Sequence, residues 1–431
     1  MAKNNVIVRF PPSPTGLLHI GNVRTALYNY LFARQTTGKF LIRVEDTDKE
    51  RSKKEYEDDM FESLNWLKID FDNKGNILKQ SERTEVYKEK IQELIKKGAA
   101  YISQETEGEN REVVRFKNPG GRIKFQDLIR GEVEMEVGDL NDFIIARNIN
   151  EPIYHLTVVV DDLESGVTHV IRGEDHISNT PRQILILEAL GGTRPIYAHL
   201  PLILAEDKSK LSKRKHGEIV SLKYYRERGF EPEAIINFLA LVGWNPGTDQ
   251  EIFSLEELVK VFDIEKVQKK SGIFDIKKLR WINKEHLKLK PDDTKKRIEE
   301  KVKNHFGVGE VHEALVQSLF ERIEVLSDVD EMIGTGELDY FFKTPELETE
   351  KIPWKTQSPE DAKKNLDKIL EIIEDVEQIK KFAEEAGKGE VLWPLRYALS
   401  GKEKSPDPFA LLSILGTSES RARIQNAVQQ L

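Results

Sequence analysis

The sequence predicts an α/β multidomain protein, in which a Rossmann-like parallel-sheet domain with an α+β insertion is followed by an all-α C-terminal domain. Three observations support this fold class. The 431 residues allow two to four domains, at roughly 100 to 200 residues each. The first 48 residues have a strand–helix–strand pattern, and the apolar residues after position 247 recur at helical spacing.

The N-terminal pattern predicts a β-α-β unit. Residues 6–8 are a β-branched run, which the proline-rich residues 11–16 end. Apolar residues between positions 23 and 31 recur at helical spacing, Gly38 closes that helix, and residues 40–44 predict the next strand. Strands joined in this way lie parallel, with a right-handed crossover.

The middle of the chain predicts that this sheet is interrupted and then resumed. Alternating runs at residues 113–116 and 132–137 indicate strands in an α+β insertion. Apolar, β-rich segments return at residues 156–160 and 167–171. A helix is predicted at about residues 181–190 and a buried strand at residues 200–204.

The C-terminal part predicts helices at residues 255–262, 294–304 and 311–326. The clearest helix lies between Ser358 and Gly387. Ser358 is a suitable N-cap, Pro359 suits the first turn, and acidic residues follow near the positive end of the helix.

Composition excludes several classes of function. The chain has no cysteine, which rules out disulfides, thiolate zinc sites, iron–sulfur clusters and a cysteine nucleophile. No apolar stretch is long enough to span a membrane, and the N-terminus lacks a signal-peptide pattern, so we expect a cytoplasmic protein. The net charge is −9, yet residues 208–228 contain eight basic and two acidic residues and predict a local cationic face.

The first motif with chemical potential occupies residues 12–22, from Pro12 to Asn22, between the first predicted strand and helix. A loop at this point presents free backbone N–H groups and the positive end of the helix dipole to a phosphate. His19 can donate a hydrogen bond to phosphate oxygens. Gly21 removes a side chain where a nucleotide would approach closely.

The second motif occupies residues 210–214, from Lys210 to Arg214, after the strand predicted at residues 200–204. Lys210 and Lys213 supply charges that can follow a triphosphate during a reaction and stabilise its transition state. A P-loop ATPase is poorly supported because the pattern G-x-x-x-x-G-K-[ST] does not occur.

Together the two motifs resemble those of the class I aminoacyl-tRNA synthetases. Further segments are similar to the glutamyl-tRNA synthetases of the bacterial type, and they extend the resemblance over essentially the whole chain. These segments are RFPPSPTG at residues 9–16, RVEDTD at 43–48, VIRGEDH at 170–176, FD at 274–275, WIN at 281–283 and PLRYALSG at 394–401.

The resemblance implies an enzyme that uses ATP to activate L-glutamate and then esterifies it to the 3′-terminal adenosine of tRNA-Glu. It leaves open whether tRNA-Gln is charged as well. By the family pattern, His19, Gly21, Asn22 and Lys213 contact ATP, and Lys210 supports the loop; His19, Lys210 and Lys213 are the expected catalytic residues. Mg²⁺ is expected to be held mainly by ATP phosphates, with no dedicated metal site and no zinc.

The same resemblance implies a pocket for glutamate. Two carboxylates and one ammonium call for two cations and one anion, which Arg9, Arg172 and Glu45 supply. Ser13 and Tyr154 match family positions that line this pocket. In the C-terminal helical region, Arg396 matches a position that contacts the tRNA anticodon.

The resemblance also implies a division of the chain into five parts and a monomeric protein. The catalytic domain occupies residues 1–80 and 154–245, its second half carrying the Lys-rich loop. The acceptor-binding insertion occupies residues 81–153. A helical stem-contact domain follows at residues 246–315, and the helical anticodon-binding domain at residues 316–431.

Two groups of alternatives stay open at this point. One keeps the chemistry and changes the substrate, as in a glutamine-specific enzyme or the truncated relative that glutamylates a modified tRNA base. The C-terminal helical region argues against the truncated form, and a second arginine argues against a neutral amide. The other alternative is a catalytically silent paralogue, against which His19, Gly21, Lys210 and Lys213 all count.

Overall fold

The computed structural model describes residues 6–105 and 112–431. The chain divides into two compact units, Met1–His286 and Leu287–Leu431. The first is a parallel-sheet α/β unit and the second is helical, which confirms the predicted fold class. No helix of the described residues is long and apolar enough to cross a membrane.

The strands are β1 (Ile7–Phe10), β2 (Lys39–Val44), β3 (Leu78–Lys79), β4 (Ala100–Gln104), β5 (Glu112–Phe116), β6 (Arg122–Asp127), β7 (Gly131–Glu136), β8 (Phe143–Asn148), β9 (Glu151–Pro152), β10 (His169–Gly173), β11 (Ile196–Leu200), β12 (Ile203–Leu204) and β13 (Gly272–Ile273).

The helices up to the division are α1 (Ile20–Gln35), α2 (Lys54–Trp66), α3 (Thr84–Lys96), α4 (Tyr154–Glu164), α5 (Thr180–Ala189), α6 (Lys213–His216), α7 (Leu222–Glu227), α8 (Pro232–Leu241), α9 (Leu255–Val261) and α10 (Ile276–Lys288). Those of the second unit are α11 (Pro291–Phe306), α12 (Glu313–Arg322), α13 (Ser327–Gly334), α14 (Asp339–Phe342), α15 (Pro359–Ile372), α16 (Val376–Ala386), α17 (Lys388–Ser400) and α18 (Pro408–Gln430).

A set of parallel strands forms the centre of the first unit. β1 pairs with β2 and β2 with β3, while β10 pairs with β11, all in parallel. Ile7 and Thr168 join the two groups, because the Thr168 N–H donates to the Ile7 carbonyl at 2.9 Å. The carboxyl ends of β1, β2, β10 and β11 therefore lie along one edge, as in ligand-binding open sheets.

The segment predicted as an insertion contributes to this sheet. Its strands β4, β5, β8 and β9 form a separate antiparallel sheet. β6, however, pairs in parallel with β11 at Asp127 and Tyr197, and β7 pairs antiparallel with β6. Asp127 thereby lies beside the strand that leads to the Lys-rich loop.

One predicted strand is wrong: residues 156–160 belong to helix α4. Every residue from Leu156 to Asp161 is buried, so the apolar positions lack the one-sided spacing that marks a surface helix. Three consecutive valines within this run also favour a strand by propensity, and burial of residues 156–161 in a helix overrides that preference.

Two predicted helices differ in extent from those of the structure. The segment 311–326 contains α12, which ends at Arg322, and Ile323 has an extended backbone. The segment 358–387 contains α15 and α16, because Asp375 begins a second helix by accepting from the Gln378 N–H. The cap at Ser358 is confirmed, since its side chain accepts from the Asp361 N–H at 3.1 Å.

Candidate active site

A cavity of about 740 Å³ opens at the carboxyl edge of the parallel strands. It brings together most of the residues predicted from sequence, although they lie as much as 201 positions apart. Those that line it are Arg9, Ser13, His19, Gly21, Asn22, Glu45, Tyr154, Arg172 and Lys210. The side chain of Lys213 lies outside what the structure describes. Arg396 belongs to the other unit.

His19 begins helix α1 at this cavity. Its Nδ1 accepts from the Asn22 N–H at 3.3 Å, so a neutral His19 ring carries its hydrogen on Nε2 and has a donor available. The side chain is exposed to the cavity, but surrounding protein and the nearby Lys210 lower the pKa of His19. His19 is therefore a neutral donor at neutral pH.

Gly21 makes room for this arrangement. A Cβ at position 21 would lie 3.1 Å from His19 Cε1 and 3.2 Å from Nδ1. Both distances are tighter than normal contacts, and a larger residue would push the imidazole away from its capping position. Gly21 therefore leaves room for the His19 imidazole, in addition to the room for a nucleotide that the sequence predicted.

Residues 204–210 form a tight hairpin that leads from β12 to the Lys-rich motif at residues 210–214. Leu204 bridges to Lys210, and the Ala205 N–H donates to the Ser209 carbonyl at 2.9 Å. Lys210 Nζ lies 3.2 Å from Asp175 Oδ2, an ion pair between two exposed side chains at the cavity wall. Lys213 begins the short helix α6.

A buried charge cluster underlies the cavity. Arg9 binds Asp162 through Nε and Nη2, each at 3.1 Å. Arg43 binds the same Asp162 at 2.6 Å and Glu45 at 2.9 Å. Asp162 therefore joins the arginine of β1 to the arginine of β2, and through Arg43 it also fixes Glu45. The Nη1 atom of Arg9 is buried without a hydrogen-bond partner among the described residues.

The charges in this cluster shift one another's pKa values. Burial raises the pKa of Asp162, but the adjacent Arg9 and Arg43 outweigh it and hold that pKa below its ordinary value. Burial raises the pKa of Glu45, and Arg43 only partly opposes the effect. Burial lowers the pKa of Arg43, yet Asp162 and Glu45 overcome it, and Arg43 stays charged.

Arg172 is held differently, by neutral groups alone among the described residues. Its Nη1 donates to Gln183 Oε1 and its Nη2 to Thr180 Oγ1, each at 2.7 Å. Nε donates to His199 Nε2 at 3.2 Å. Burial lowers the pKa of Arg172, although a guanidinium remains protonated in any case. A buried positive charge with no carboxylate partner favours binding of an anion.

Tyr154 and His176 close the cavity between these arginines. The Tyr154 hydroxyl lies 3.0 Å from His176 Nδ1. Burial and the positive charge of Arg172 lower the pKa of His176 to about 4, so the ring is neutral at neutral pH. Burial and Glu45 raise the pKa of Tyr154. The hydroxyl and the imidazole are therefore neutral polar groups beside a cationic pocket.

Sequence reasoning missed the residues that hold the arginines. Asp162 is 153 positions from Arg9, and His199 and Gln183 are 27 and 11 positions from Arg172; no motif marks any of the three. Asp161 and Asp162 gave the one usable signal, because two adjacent carboxylates at the end of an apolar run need buried partners. No group of three or more His, Asp or Glu suited to a metal ion occurs in residues 6–105 and 112–431.

Arg396 lies in helix α17. Its guanidinium carbon is 4.8 Å from the centre of the Trp393 ring, and its Nη2 donates to the Glu403 carbonyl at 2.9 Å. The indole Nε1 of Trp393 donates in turn to the Lys351 carbonyl at 3.0 Å. Arg396 is thus a half-buried cation on a fixed aromatic ring.

Comparison with known protein families identifies the class. The family model of the catalytic domain of class I tRNA synthetases (E and Q) matches residues 5–112 and 102–281. The model of an anticodon binding domain matches residues 292–428. Together they account for nearly the whole chain and define a class I tRNA synthetase.

Individual relatives match this chain over nearly the full length of both sequences. The glutamate–tRNA ligases of Carboxydothermus hydrogenoformans and Aquifex aeolicus are both 38% identical, over 98% and 99% of this chain and 99% and 100% of their own. A glutamate tRNA ligase from Elizabethkingia meningosepticum, solved in complex with its amino acid, has a TM-score of 0.86 at 31% identity, covering 98% of this chain and 99% of that one. The chain belongs to the glutamate–tRNA ligase family.

The charge cluster yields a stability prediction. Asp162→Asn should lower the free energy of unfolding by about 3–5 kcal/mol at pH 7, because Arg9 and Arg43 lose a shared buried carboxylate. The pKa of Asp162 is lower in the folded than in the unfolded protein, so its contribution is present above about pH 4 and is lost as pH falls through the folded-state pKa. The difference between variant and wild type should therefore narrow in acid.

Urea denaturation from pH 7 down to pH 3 measures this difference. Asp70→Asn is the control, since Asp70 forms an exposed pair with Lys74 and should change stability by less than about 1 kcal/mol. A difference for Asp162→Asn that is as small as the control, or that does not change with pH, would contradict the assignment.

Proposed function

We propose that this protein is a glutamate–tRNA ligase that forms glutamyl-adenylate from L-glutamate and ATP and transfers the glutamyl group to the 3′-terminal adenosine of tRNA-Glu. One observation carries the assignment of substrate. Arg172 is a buried cation held by neutral groups, and it faces the cavity that also holds the His19 motif.

Glutamate differs from glutamine in its side-chain carboxylate, and Arg172 is the proposed partner of that group. Arg9 contributes Nη1, which has no hydrogen-bond partner in the part of the chain that the structure describes, since Asp162 binds its other two nitrogens. Glu45 accepts from the substrate ammonium, and Ser13 and Tyr154 complete the pocket wall. A glutamine side chain would leave the charge of Arg172 without a counter-ion, which disfavours the glutamine-specific alternative.

The chemistry consists of two displacements. An oxygen of the glutamate α-carboxylate attacks the α-phosphorus of ATP, a new O–P bond forms, and the bond to diphosphate breaks. A ribose hydroxyl of the tRNA then attacks the activated carbonyl, and AMP leaves. Neither step needs a nucleophile from the protein, so the protein positions the reactants and stabilises charge.

The proposed ATP site uses the two motifs. The Nε2–H of His19 donates to phosphate, while Gly21 and Asn22 border the nucleotide. Lys213 carries positive charge to the phosphates as diphosphate leaves, and Lys210 supports the loop through Asp175.

Mg²⁺ supplies further neutralisation of the phosphates when it is bound with ATP. Glu45 and Asp175, the carboxylates that line the described cavity, are already paired with Arg43 and Lys210. This pairing fits a metal held mainly by phosphate oxygens. No zinc is part of the proposal.

The tRNA is proposed to contact both units. The acceptor end binds beside the insertion at residues 81–153, and the anticodon binds residues 316–431, where Arg396 on the Trp393 ring offers a cation and a stacking surface. We further propose a cytoplasmic monomer. Charging of tRNA-Gln is a second candidate activity that the same site chemistry permits.

Aminoacylation assays test the proposal directly. Purified protein with ATP and Mg²⁺ should attach glutamate to tRNA-Glu and should fail to attach glutamine. Glutamate attached to tRNA-Gln in a parallel assay would establish the broader activity. Failure to attach glutamate to either tRNA would contradict the proposed function.

Variants of the proposed ATP site and of the proposed glutamate site should change different kinetic parameters. Lys213→Ala should lower kcat for aminoacylation by about 100- to 1000-fold, because a charge that acts mainly in the transition state is lost. Arg172→Ala should raise the KM for glutamate by roughly 10- to 100-fold and leave the KM for ATP unchanged.

Lys223→Ala and Arg194→Ala are the matched controls, because both remove exposed charges that pair with neighbouring glutamates. Steady-state kinetics with tRNA at saturation measures all four variants. Wild-type kcat in Lys213→Ala, or an unchanged KM for glutamate in Arg172→Ala, would refute the role given to that residue.

A further inference from the structure

Arg172 has a second layer of support that leads away from the cavity. Its Nε donates to Nε2 of His199, whose side chain is fully buried. On the opposite side of the ring, Nδ1 of His199 lies 2.6 Å from Oδ2 of Asp127, which is also fully buried. The three side chains form a continuous chain of hydrogen bonds from an arginine through an imidazole to a carboxylate.

Hydrogen-bonding chemistry fixes the state of His199. A guanidinium group can only donate, so Nε2 of His199 must present a lone pair to Arg172. The hydrogen of the neutral ring must then lie on Nδ1, where it donates to Asp127. Burial lowers the pKa of His199 and Arg172 adds to that effect, which keeps the ring neutral although Asp127 opposes it.

Asp127 is itself held rigidly at the end of β6. Its Oδ1 accepts from the N–H groups of Ile129 and Arg130, at 2.9 and 2.8 Å, and its Oδ2 also accepts from the His199 N–H at 3.0 Å. Burial raises the pKa of Asp127, but the hydrogen bonds from His199 and the backbone lower it overall. Asp127 is therefore a fixed, ionised acceptor.

We propose that Asp127 and His199 are positioning residues that orient Arg172 for the side-chain carboxylate of glutamate. Asp127 selects the tautomer of His199, and that tautomer gives Arg172 Nε an acceptor that carries no charge. The inference rests on the proposed binding of glutamate by Arg172.

A comparison with Arg9 explains why the imidazole of His199 lies between the charges of Asp127 and Arg172. Asp162 touches Arg9 directly and neutralises much of its positive charge. If a carboxylate touched Arg172 in the same way, it would compete with the substrate carboxylate for the guanidinium. An imidazole between Asp127 and Arg172 fixes the geometry and leaves the positive charge of Arg172 available to glutamate.

The proposal places part of the amino-acid pocket in the predicted insertion. Asp127 belongs to β6, which pairs with β11 through Tyr197, two residues before His199. The segment at residues 81–153 would then serve the amino acid as well as the tRNA acceptor end.

Asp127→Asn is the decisive variant because it keeps size and replaces Oδ2, the oxygen that faces both Nδ1 and the backbone N–H of His199, with a donor. The side-chain oxygen of asparagine can still accept from Ile129 and Arg130, which leaves its NH₂ group facing Nδ1 of His199. His199 must then carry its hydrogen on Nε2, which lies 3.2 Å from Nε of Arg172 and 3.1 Å from Oγ1 of Thr180, so the Nε–H of Arg172 loses its acceptor. We expect the KM for glutamate to rise roughly 10-fold, with kcat changed less than about 3-fold and the KM for ATP unchanged.

Two comparisons separate positioning from simple structural support. Asp328→Asn removes another buried aspartate that accepts from backbone N–H groups, at Glu324 and Val325, and should leave the KM for glutamate unchanged. In an Arg172→Ala background, Asp127→Asn should cause no further rise in that KM, because its effect passes through Arg172. Independent, multiplicative effects of the two substitutions would overturn the proposal.

Neutron diffraction on wild-type crystals provides a test that needs no variant. The proposal requires a hydrogen on Nδ1 of His199 and none on Nε2, and a hydrogen on Nε2 would overturn it. The failures are distinguishable. Wild-type protein that does not charge tRNA with glutamate contradicts the proposed function, whereas normal charging with an unaltered KM in Asp127→Asn contradicts only the positioning role.

Discussion

A buried guanidinium needs acceptors for its N–H groups and a partner for its charge, and this requirement organises the first unit. Arg9 and Arg172 approach one cavity from β1 and β10. Arg9 is paired with the carboxylate of Asp162, while Arg172 is held by neutral acceptors alone among the described residues. The first arrangement stabilises the sheet, and the second leaves a positive charge for a ligand.

The partners of these arginines determine how the surrounding elements must lie. Asp162 is at the C-terminal end of α4, so that helix has to pack where its carboxylate reaches both β1 and β2. Asp127 is at the end of β6, which brings the inserted segment onto the central sheet beside β11. The packing of the first unit and the charge pattern of its cavity therefore depend on the same contacts.

Local patterns predicted the elements whose burial is one-sided or whose ends carry caps. The first β-α-β unit and the Ser358 cap follow from such signals, and family motifs identified Arg9, Glu45 and Arg172. Helix α4 was mistaken for a strand because residues 156–161 are all buried, which removes the helical spacing from the sequence. Prediction also failed where one long segment with helical spacing divides, since Asp375 begins a new helix within it.

The supporting residues could not be predicted for a different reason. Asp162 is 153 positions from Arg9, and Asp127 is 72 positions from His199. Their roles depend on which chain segments the tertiary fold brings together, and an isolated aspartate or histidine carries no local mark of that contact. Sequence patterns therefore identified the groups that face the cavity, while the structure was needed to identify the groups that hold them.

Arg172, a buried cation held by neutral groups among the described residues, is proposed to receive the side-chain carboxylate of glutamate. A crystal structure of the protein with bound L-glutamate tests it most directly. We expect two hydrogen bonds from the Arg172 guanidinium to that carboxylate, at about 2.7–2.9 Å. A side-chain carboxylate bound elsewhere, with Arg172 still held only by Gln183, Thr180 and His199, would contradict the claim.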